Sequence, residues 1–120
     1  MEYELTSSIN EETLEIKLSG KGADYKDAGR LLSAVAELIT AKHPKNILID
    51  IRSIQNRLGL LSAYQLIHSF PRETSHIKTA IIDREEYKIL QNFYETTSEN
   101  AGFVAHFFSD EAAARAWLIS

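Results

Sequence analysis

The chain has 120 residues, about the size of one domain, and a formal net charge of -4 from 17 acidic and 13 basic side chains. This acidic balance argues against a general affinity for nucleic acid or anionic membranes, which requires concentrated Lys and Arg. The absence of cysteine excludes disulfides, thiolate zinc sites and cysteine nucleophiles. The sequence shows no signal region, and no apolar run approaches the roughly 20 residues of a membrane-spanning helix. We therefore expect one cytoplasmic domain over residues 1–120, without an integral membrane segment.

The first half of the chain predicts a strand hairpin, a helix and a buried strand. Residues 4–8 and 13–19 are short strands, and the second alternates apolar and charged side chains, as a half-buried strand does. An amphipathic helix follows, with Asp24 or Asp27 as its amino-terminal cap. Residues 46–51 are almost continuously aliphatic, which is typical of a parallel strand covered on both faces.

The second half predicts an alternation of helices and strands. Helices are expected at residues 60–70, 85–100 and 112–119, and strands at 79–82 and 103–108. Ser109 is the expected cap of the last helix. The order β-β-α-β-α-β-α-β-α, with short connections, predicts an α/β fold with a mainly parallel sheet and one antiparallel edge strand.

Charged side chains collect at the predicted carboxyl ends of the strands, where parallel α/β sheets bind ligands. They are Lys21, Asp50, Arg52, Arg57, Asp83, Arg84 and Asp110. Asp50 and Asp83 follow neighbouring strands, and a close pair of carboxylates would suit acid–base chemistry if one pKa were raised. In the interpretation that we favour, each carboxylate instead caps a loop or pairs with an arginine.

No sequence motif predicts a metal or a cofactor. The 4 histidines, at positions 43, 68, 76 and 106, lie in separate segments without metal-ligand spacing, and structural roles are expected for them. Gly20-Lys21-Gly22 stands between a strand and a helix, which is the context of a phosphate-binding loop. It lacks the G-x-x-x-x-G-K-[ST] spacing that surrounds a phosphate with backbone amides, so a simple turn is expected.

Aromatic side chains are concentrated in the last third of the chain. They are Tyr87, Phe93, Tyr94, Phe103, Phe107, Phe108 and Trp117. Most are expected to form the core. However, residues 103–108 are apolar on both faces of an expected edge strand, and exposed apolar edges favour association. This pattern predicts a homodimer with contacts at Phe103 and Phe107.

Several segments of the chain together form a family pattern of strands and helix starts. They lie at residues 48–52 (LIDIR), 57–58 (RL), 79–83 (TAIID), 93–96 (FYET), 100–103 (NAGF), 107–111 (FFSDE) and 116–118 (AWL). This pattern resembles the SpoIIAA-like branch of the STAS family over nearly the whole chain. The resemblance implies the βα superhelix of STAS domains, which is related more distantly to the CRAL-TRIO lipid carriers. Members of the branch mostly lack an assigned biochemical activity.

One feature of the related anti-sigma-factor antagonists is missing. In these STAS proteins, a partner kinase phosphorylates a serine in an Asp-Ser-Ser-Gly-like turn that begins the helix after the third strand. Here residues 55–62 read QNRLGLLS, with Leu58-Gly59-Leu60 in place of the acid and the serines. A phosphate at this helix start would need Ser62, or Ser53 before the loop. Phosphorylation at Ser62 is therefore an alternative and not the expectation.

These observations leave three functions, in descending order of support. The first is a non-enzymatic regulatory module of bacterial type that docks a protein partner through the strand-end rim, including Asp50, Arg52, Arg57, Ser62 and Asp83. The second is a small carrier or sensor of an apolar, lipid-like ligand, held between the helices that begin at Leu60 and near Tyr87. The third is an enzyme that uses the Asp50 and Asp83 rim, but no recognisable set of nucleophile, base and orienting group accompanies it.

Overall fold

The elements of the fold follow the predicted order. A computed structural model describes residues 3–22 and 24–120. The elements are β1 (Tyr3–Asn10), β2 (Thr13–Gly20), α1 (Tyr25–Lys42), β3 (Asn46–Ile54), α2 (Leu60–Ser69), β4 (Lys78–Ile82), α3 (Lys88–Asn100), β5 (Ala105–Phe108) and α4 (Glu111–Leu118). Short 3-10 turns at Arg72–Thr74 and Glu85–Tyr87 precede β4 and α3. The expected lack of a signal segment rests partly on Met1 and Glu2, which lie outside the described residues.

The strands form one 5-stranded sheet in the order β1-β2-β3-β4-β5. β1 is antiparallel to β2, and each later neighbour is parallel. The sheet therefore confirms the predicted α/β class and the antiparallel edge strand. The helices between the parallel strands provide the crossovers that parallel pairing requires. β1 and β5 are the two edges of the sheet.

Helices cover both faces of the sheet because successive strand residues point in opposite directions. Ile47 of β3 packs in the core beneath α1, together with Val35. The next residue, Leu48, packs on the other face with Ala114 and Leu118 of α4. α2 lies between α1 and α3, and α3 also contacts β5. Burying an aliphatic side chain such as Val35, which is 1% exposed, stabilises the fold by roughly 1.5–3 kcal/mol.

Aspartates cap two of the helices. The carboxylate of Asp24 accepts hydrogen bonds from the backbone N–H groups of Lys26 (2.9 Å) and Asp27 (3.2 Å), so Asp24 caps α1. Asp110 caps α4 in the same way. The prediction that Ser109 caps α4 is therefore wrong. A cap of this kind is worth about 1 kcal/mol because it satisfies N–H groups that have no partner inside the helix.

The ends of two strands differ from the prediction in ways that affect the site. β3 continues to Ile54, because its last residues pair with the end of β2 after a shift in register. Asp50 is therefore inside a strand and not at its end. β5 begins at Ala105 and not at Phe103. Among the described residues, no helix is long and apolar enough to cross a membrane.

Candidate interaction site at the strand ends

The loop that leads into α2 is fixed against the end of β2. The backbone N–H of Gln55 donates to the carbonyl of Gly20 (2.9 Å), and the N–H of Asn56 donates to the carbonyl of Lys21 (2.8 Å). Gly22 has a φ of 76°, and a Cβ at this position would overlap the carbonyl oxygen of Asn56. The Gly20-Lys21-Gly22 segment therefore supports the loop with its carbonyl groups. Gly20 is the last residue of β2, and neither Lys21 nor Gly22 lies in the turn that the sequence led us to expect.

A buried ion pair, which we call the Arg57–Asp83 clamp, ties the same loop to the end of β4. Nε and Nη2 of Arg57 donate to the two carboxylate oxygens of Asp83, with an Nε–oxygen distance of 3.0 Å. Nη1 of Arg57 donates to the carbonyls of Ile54 (2.6 Å) and Asn56 (2.9 Å). The Arg57 and Asp83 side chains are 5% and 0% exposed. Removing either charge would leave the other buried without compensation.

Two tyrosines hold the loop from the side of α3. The guanidinium of Arg57 lies 4.1 Å from the ring centre of Tyr87, whose hydroxyl donates to the carbonyl of Gln55 (3.2 Å). The hydroxyl of Tyr94 donates to the carbonyl of Leu58 (2.8 Å). Burial raises the pKa of Tyr94, so its hydroxyl stays protonated and available as a donor at neutral pH. The loop is therefore held by β2, β4 and α3 together.

The contacts of these tyrosines with the loop were not predicted from the sequence. Tyr87 and Tyr94 were expected to belong to a general aromatic core. The phenolic hydroxyl is the sequence signal that could have identified these contacts, because a buried tyrosine usually has a hydrogen-bond partner that phenylalanine does not need. The loop carbonyls are such partners, but the sequence does not show that the loop passes over α3.

The loop presents three exposed apolar side chains at the start of α2. Leu60, Leu61 and Tyr64 are 49%, 71% and 49% exposed, and we call them the α2 surface. Ala63 and Leu66 of the same helix are buried. Single exposed apolar residues are common, but several within one turn of a helix mark a candidate interaction site.

Two serines flank the loop in the sequence, one on each side. Ser62, in the first turn of α2, is half-buried, and Ser53, on β3, is exposed. Gly59 stands at the cap position of α2, and no side chain caps the helix there. Phosphorylation at Ser62 stays a prediction.

Asp50 and Arg52 lie on the face of the sheet opposite the Arg57–Asp83 clamp and the α2 surface. Arg52 donates Nε and Nη2 to the two carboxylate oxygens of Asp50 (3.0 and 2.8 Å), and its Nη2 is 3.4 Å from Glu111 of α4. Arg115 of α4 binds both Glu111 (3.0 Å) and Glu15 of β2 (2.9 and 3.0 Å). We call these five residues the ion-pair ladder. The ladder joins α4 to β2 and β3.

The arginines of the ladder favour the ionised form of two carboxylates. The hydrogen bonds from Arg115 are the main cause that lowers the pKa of Glu15. Burial opposes ionisation of Asp50, but the hydrogen bonds and charge of Arg52 outweigh it, and the pKa of Asp50 is lowered. Arg52 and Arg115 are 41% and 42% exposed. At this exposure, solvent screening limits each pair to about 1 kcal/mol or less.

Asp50 and Asp83 do not form a carboxylate pair. Asp50 lies opposite Ile82, the residue before Asp83, so the side chains of the two aspartates point to opposite faces of the sheet. Each is bound by its own arginine, Arg52 or Arg57, as the favoured interpretation expected. Within residues 3–22 and 24–120, no group of three or more His, Asp or Glu side chains is placed to hold a metal ion.

A small apolar cavity lies beneath α2, between the helices and the sheet. Its volume is about 240 Å³, and its wall includes Val35, Ile51, Ala63, Leu66 and Phe107. This volume is below the roughly 300–1,000 Å³ of typical ligand sites. It exceeds the about 150 Å³ of a cavity that admits benzene. The cavity is therefore large enough for a small apolar group.

The residues of the predicted dimer contact pack within the chain. The ring of Phe107 lies 5.9 Å from that of Tyr94, and the ring of Phe103 lies 6.1 Å from that of Phe70. The carboxylate of Glu95 accepts a hydrogen bond from the backbone N–H of Phe107 (2.9 Å). A dimer through Phe103 and Phe107 stays a prediction, and these internal contacts do not favour it.

Solved structures share this arrangement of strands and helices. An anti-sigma factor antagonist from Mycobacterium paratuberculosis is 15% identical, with a TM-score of 0.65 over 98% of this chain and 95% of that chain. A DUF3478-family protein of uncharacterised function with a SpoIIAA-like fold, from Shewanella loihica, is 19% identical, with a TM-score of 0.54 over 97% and 93% of the two chains. No protein-family model and no curated protein matches the sequence. The chain has a SpoIIAA-like fold, as the sequence predicted.

Proposed function

We propose that the chain is a non-enzymatic, cytoplasmic STAS-like module that docks a regulatory protein partner through the α2 surface. The observation that carries this proposal is the exposure of Leu60, Leu61 and Tyr64 directly after a loop held by the buried clamp. A surface that is already ordered loses little conformational entropy on binding. The fold shared with an anti-sigma factor antagonist supports a protein as the partner.

The rim residues have different roles in this proposal. Arg57 and Asp83 were expected on the docking rim, but both side chains are buried, so they position the loop and do not contact a partner. Asp50 and Arg52 lie on the other face of the sheet and contact α4 through the ladder. Ser62 remains a contact residue and the alternative site of phosphorylation.

Titration calorimetry with purified anti-sigma factors from the same organism tests this proposal. Leu61→Asp is expected to weaken binding by about tenfold or more, because a carboxylate would be buried in the contact without a partner. Ile119→Asp is the matched control, since Ile119 is 84% exposed but follows α4 at the other end of the sheet. If Leu61→Asp binds as tightly as the wild type, the α2 surface is not the docking site. If no anti-sigma factor binds the wild type, this partner class is wrong.

A second candidate function is the binding of a small apolar ligand, which the cavity beneath α2 favours. Native mass spectrometry of the freshly purified protein would show a retained ligand as an added mass. Ala63→Phe should fill the cavity and remove that mass, because Ala63 is buried and lines it. The side chain of Leu61 does not line the cavity, so the Leu61→Asp variant should retain the added mass of the ligand. Indole serves as a small apolar probe of the cavity. This function would be contradicted if the purified wild type carries no added mass and if indole leaves its thermal stability unchanged.

A further inference from the structure

The two edge strands of the sheet, β5 and β1, differ in their protection against pairing with a further strand. At the β5 edge, the carboxylate of Glu95 accepts from the backbone N–H of Phe107 (2.9 Å) and lies 3.0 Å from Nδ1 of His106. This contact occupies a backbone group that an added strand would need. Side chains that block an edge in this way are a common protection against pairing between molecules. The β5 edge is therefore partly closed.

The β1 edge has no comparable protection. In the described ranges, β1 pairs only with β2, and its eight residues keep an unbroken register from Tyr3 to Asn10. Alternate N–H and C=O groups of an edge strand point away from its neighbour and remain open to another strand. The strand reads YELTSSIN and contains no proline, lysine or arginine. It also has no bulge, and Glu4 is its one charged residue, so the strand carries few of the usual obstacles to pairing.

We propose that the β1 edge is a homodimer interface, in which β1 pairs antiparallel with β1 of a second copy about a two-fold axis at Ser7. The facing pairs in this register are Ser7 with Ser7, Thr6 with Ser8, Leu5 with Ile9, and Glu4 with Asn10. Residues that face each other across an antiparallel pair share one face of the sheet. The register therefore joins the two sheets into one continuous sheet with the two α1 helices on the same side.

The chemistry of the strand matches a second copy of itself. Ile9 is 46% exposed and would be covered by Leu5 of the other copy. Hydroxyl side chains face hydroxyl side chains at Ser7 and between Thr6 and Ser8. Glu4, the one charged residue of β1, faces the amide of Asn10 and not another carboxylate. No pair in the register places like charges together, which would be destabilising.

The dimer is expected to depend on protein concentration. Stable interfaces bury about 1,200–2,000 Å², and a contact made through one eight-residue strand of each copy is limited in extent. Trapping by a disulfide suits such an association, and the natural chain contains no cysteine that would interfere. The test therefore uses single-cysteine variants of the full chain with oxidised glutathione as the oxidant, and circular dichroism to check the fold.

Ser7→Cys should form a disulfide-linked dimer. Facing residues have Cα atoms about 4.5–5.5 Å apart, within the range of about 4.4–6.8 Å that a disulfide spans. Ser8→Cys is the matched control on the same exposed strand, because in this register its two copies are diagonal, about 7–8 Å apart or more. We expect Ser7→Cys to cross-link roughly tenfold faster than Ser8→Cys.

A mixture tests the register itself. Thr6→Cys and Ser8→Cys should cross-link with each other faster than either does alone, because Thr6 faces Ser8. Equal rates for Ser7→Cys and Ser8→Cys would indicate random collision and would overturn the proposal. The absence of linked dimer from Ser7→Cys at high concentration would overturn it as well.

Discussion

Two arginine–aspartate pairs lie near the same end of the sheet, on opposite faces, and they differ mainly in burial. Arg57 and Asp83 are 5% and 0% exposed, whereas Arg52 and Asp50 are 41% and 18% exposed. Both pairs are bidentate. The comparison shows that the surroundings, and not the residue types, decide what such a pair does.

The buried Arg57–Asp83 pair holds the loop before α2 in place. The exposed Arg52–Asp50 pair adds a contact to α4, which also packs through apolar side chains. Arg57 also donates to the carbonyls of Ile51 and Ile54 at the end of β3 and to the carbonyl of Asn56 in the loop, so the loop before α2 depends on it. α4 instead packs through Ala114 and Leu118, which are 0% and 6% exposed, and the ladder lies beside this apolar contact. We therefore expect substitutions to have large effects at the clamp and small effects at the ladder.

The largest effect is expected from Asp83→Ala. This change leaves the guanidinium of Arg57 buried without its carboxylate, which should lower the free energy of unfolding by about 3–5 kcal/mol. Urea denaturation measures this loss. The double variant Arg57→Met/Asp83→Leu should be more stable than Asp83→Ala, because it removes both buried charges. A loss below about 1 kcal/mol for Asp83→Ala would show that the pair is solvated like an exposed one.

An intermediate effect is expected from Gly22→Ala, which removes the close contact between Gly22 and the loop. The added Cβ would overlap the carbonyl oxygen of Asn56, and the φ of 76° is unfavourable for alanine. The expected loss is about 1–3 kcal/mol of unfolding free energy. Gly29→Ala is the control, because its Cβ would approach only a side-chain atom of Leu66, at 3.9 Å. Equal stability of the two variants would contradict the tight contact at Gly22.

The smallest effect is expected from Arg115→Met in the ladder, with a loss of about 1 kcal/mol or less at neutral pH. Arg115 lowers the pKa of Glu15 in the folded chain, so its stabilising contribution is present above the unfolded pKa of Glu15 and is lost as the pH falls through the folded pKa. The stability difference between wild type and Arg115→Met should therefore shrink at acidic pH. Urea denaturation at neutral and acidic pH measures it. A difference that grows on acidification would contradict the assignment.

The sequence was sufficient to predict the order of the elements and the class of the sheet. The alternation in residues 13–19 and the aliphatic run in 46–51 are local signals, and they depend on periods that the backbone itself sets. The cap of α1 was predicted as Asp24 or Asp27, and Asp24, which directly precedes the helix, is the one observed. These features need no knowledge of distant contacts.

The partners of the charged residues were harder to predict. Whether Asp83 meets Asp50 or Arg57 depends on the face to which each side chain points, and an offset of one residue reverses that face. The exposure of Leu60 and Leu61 could not be predicted from the sequence for a similar reason. An apolar helix start is compatible with burial, and only the placement of α2 over Ala63 and Leu66 leaves these leucines in solvent.

Hydrogen–deuterium exchange gives the most direct test of the claim that the buried clamp holds the α2 surface in place. Arg57→Lys keeps the charge but loses the bidentate contact with Asp83, and Arg52→Lys makes the same change in the exposed pair. We predict faster amide exchange across residues 54–64 in Arg57→Lys, with the exchange of α4 unchanged, and little change at residues 54–64 in Arg52→Lys. Equal exchange across residues 54–64 in both variants and the wild type would contradict the account.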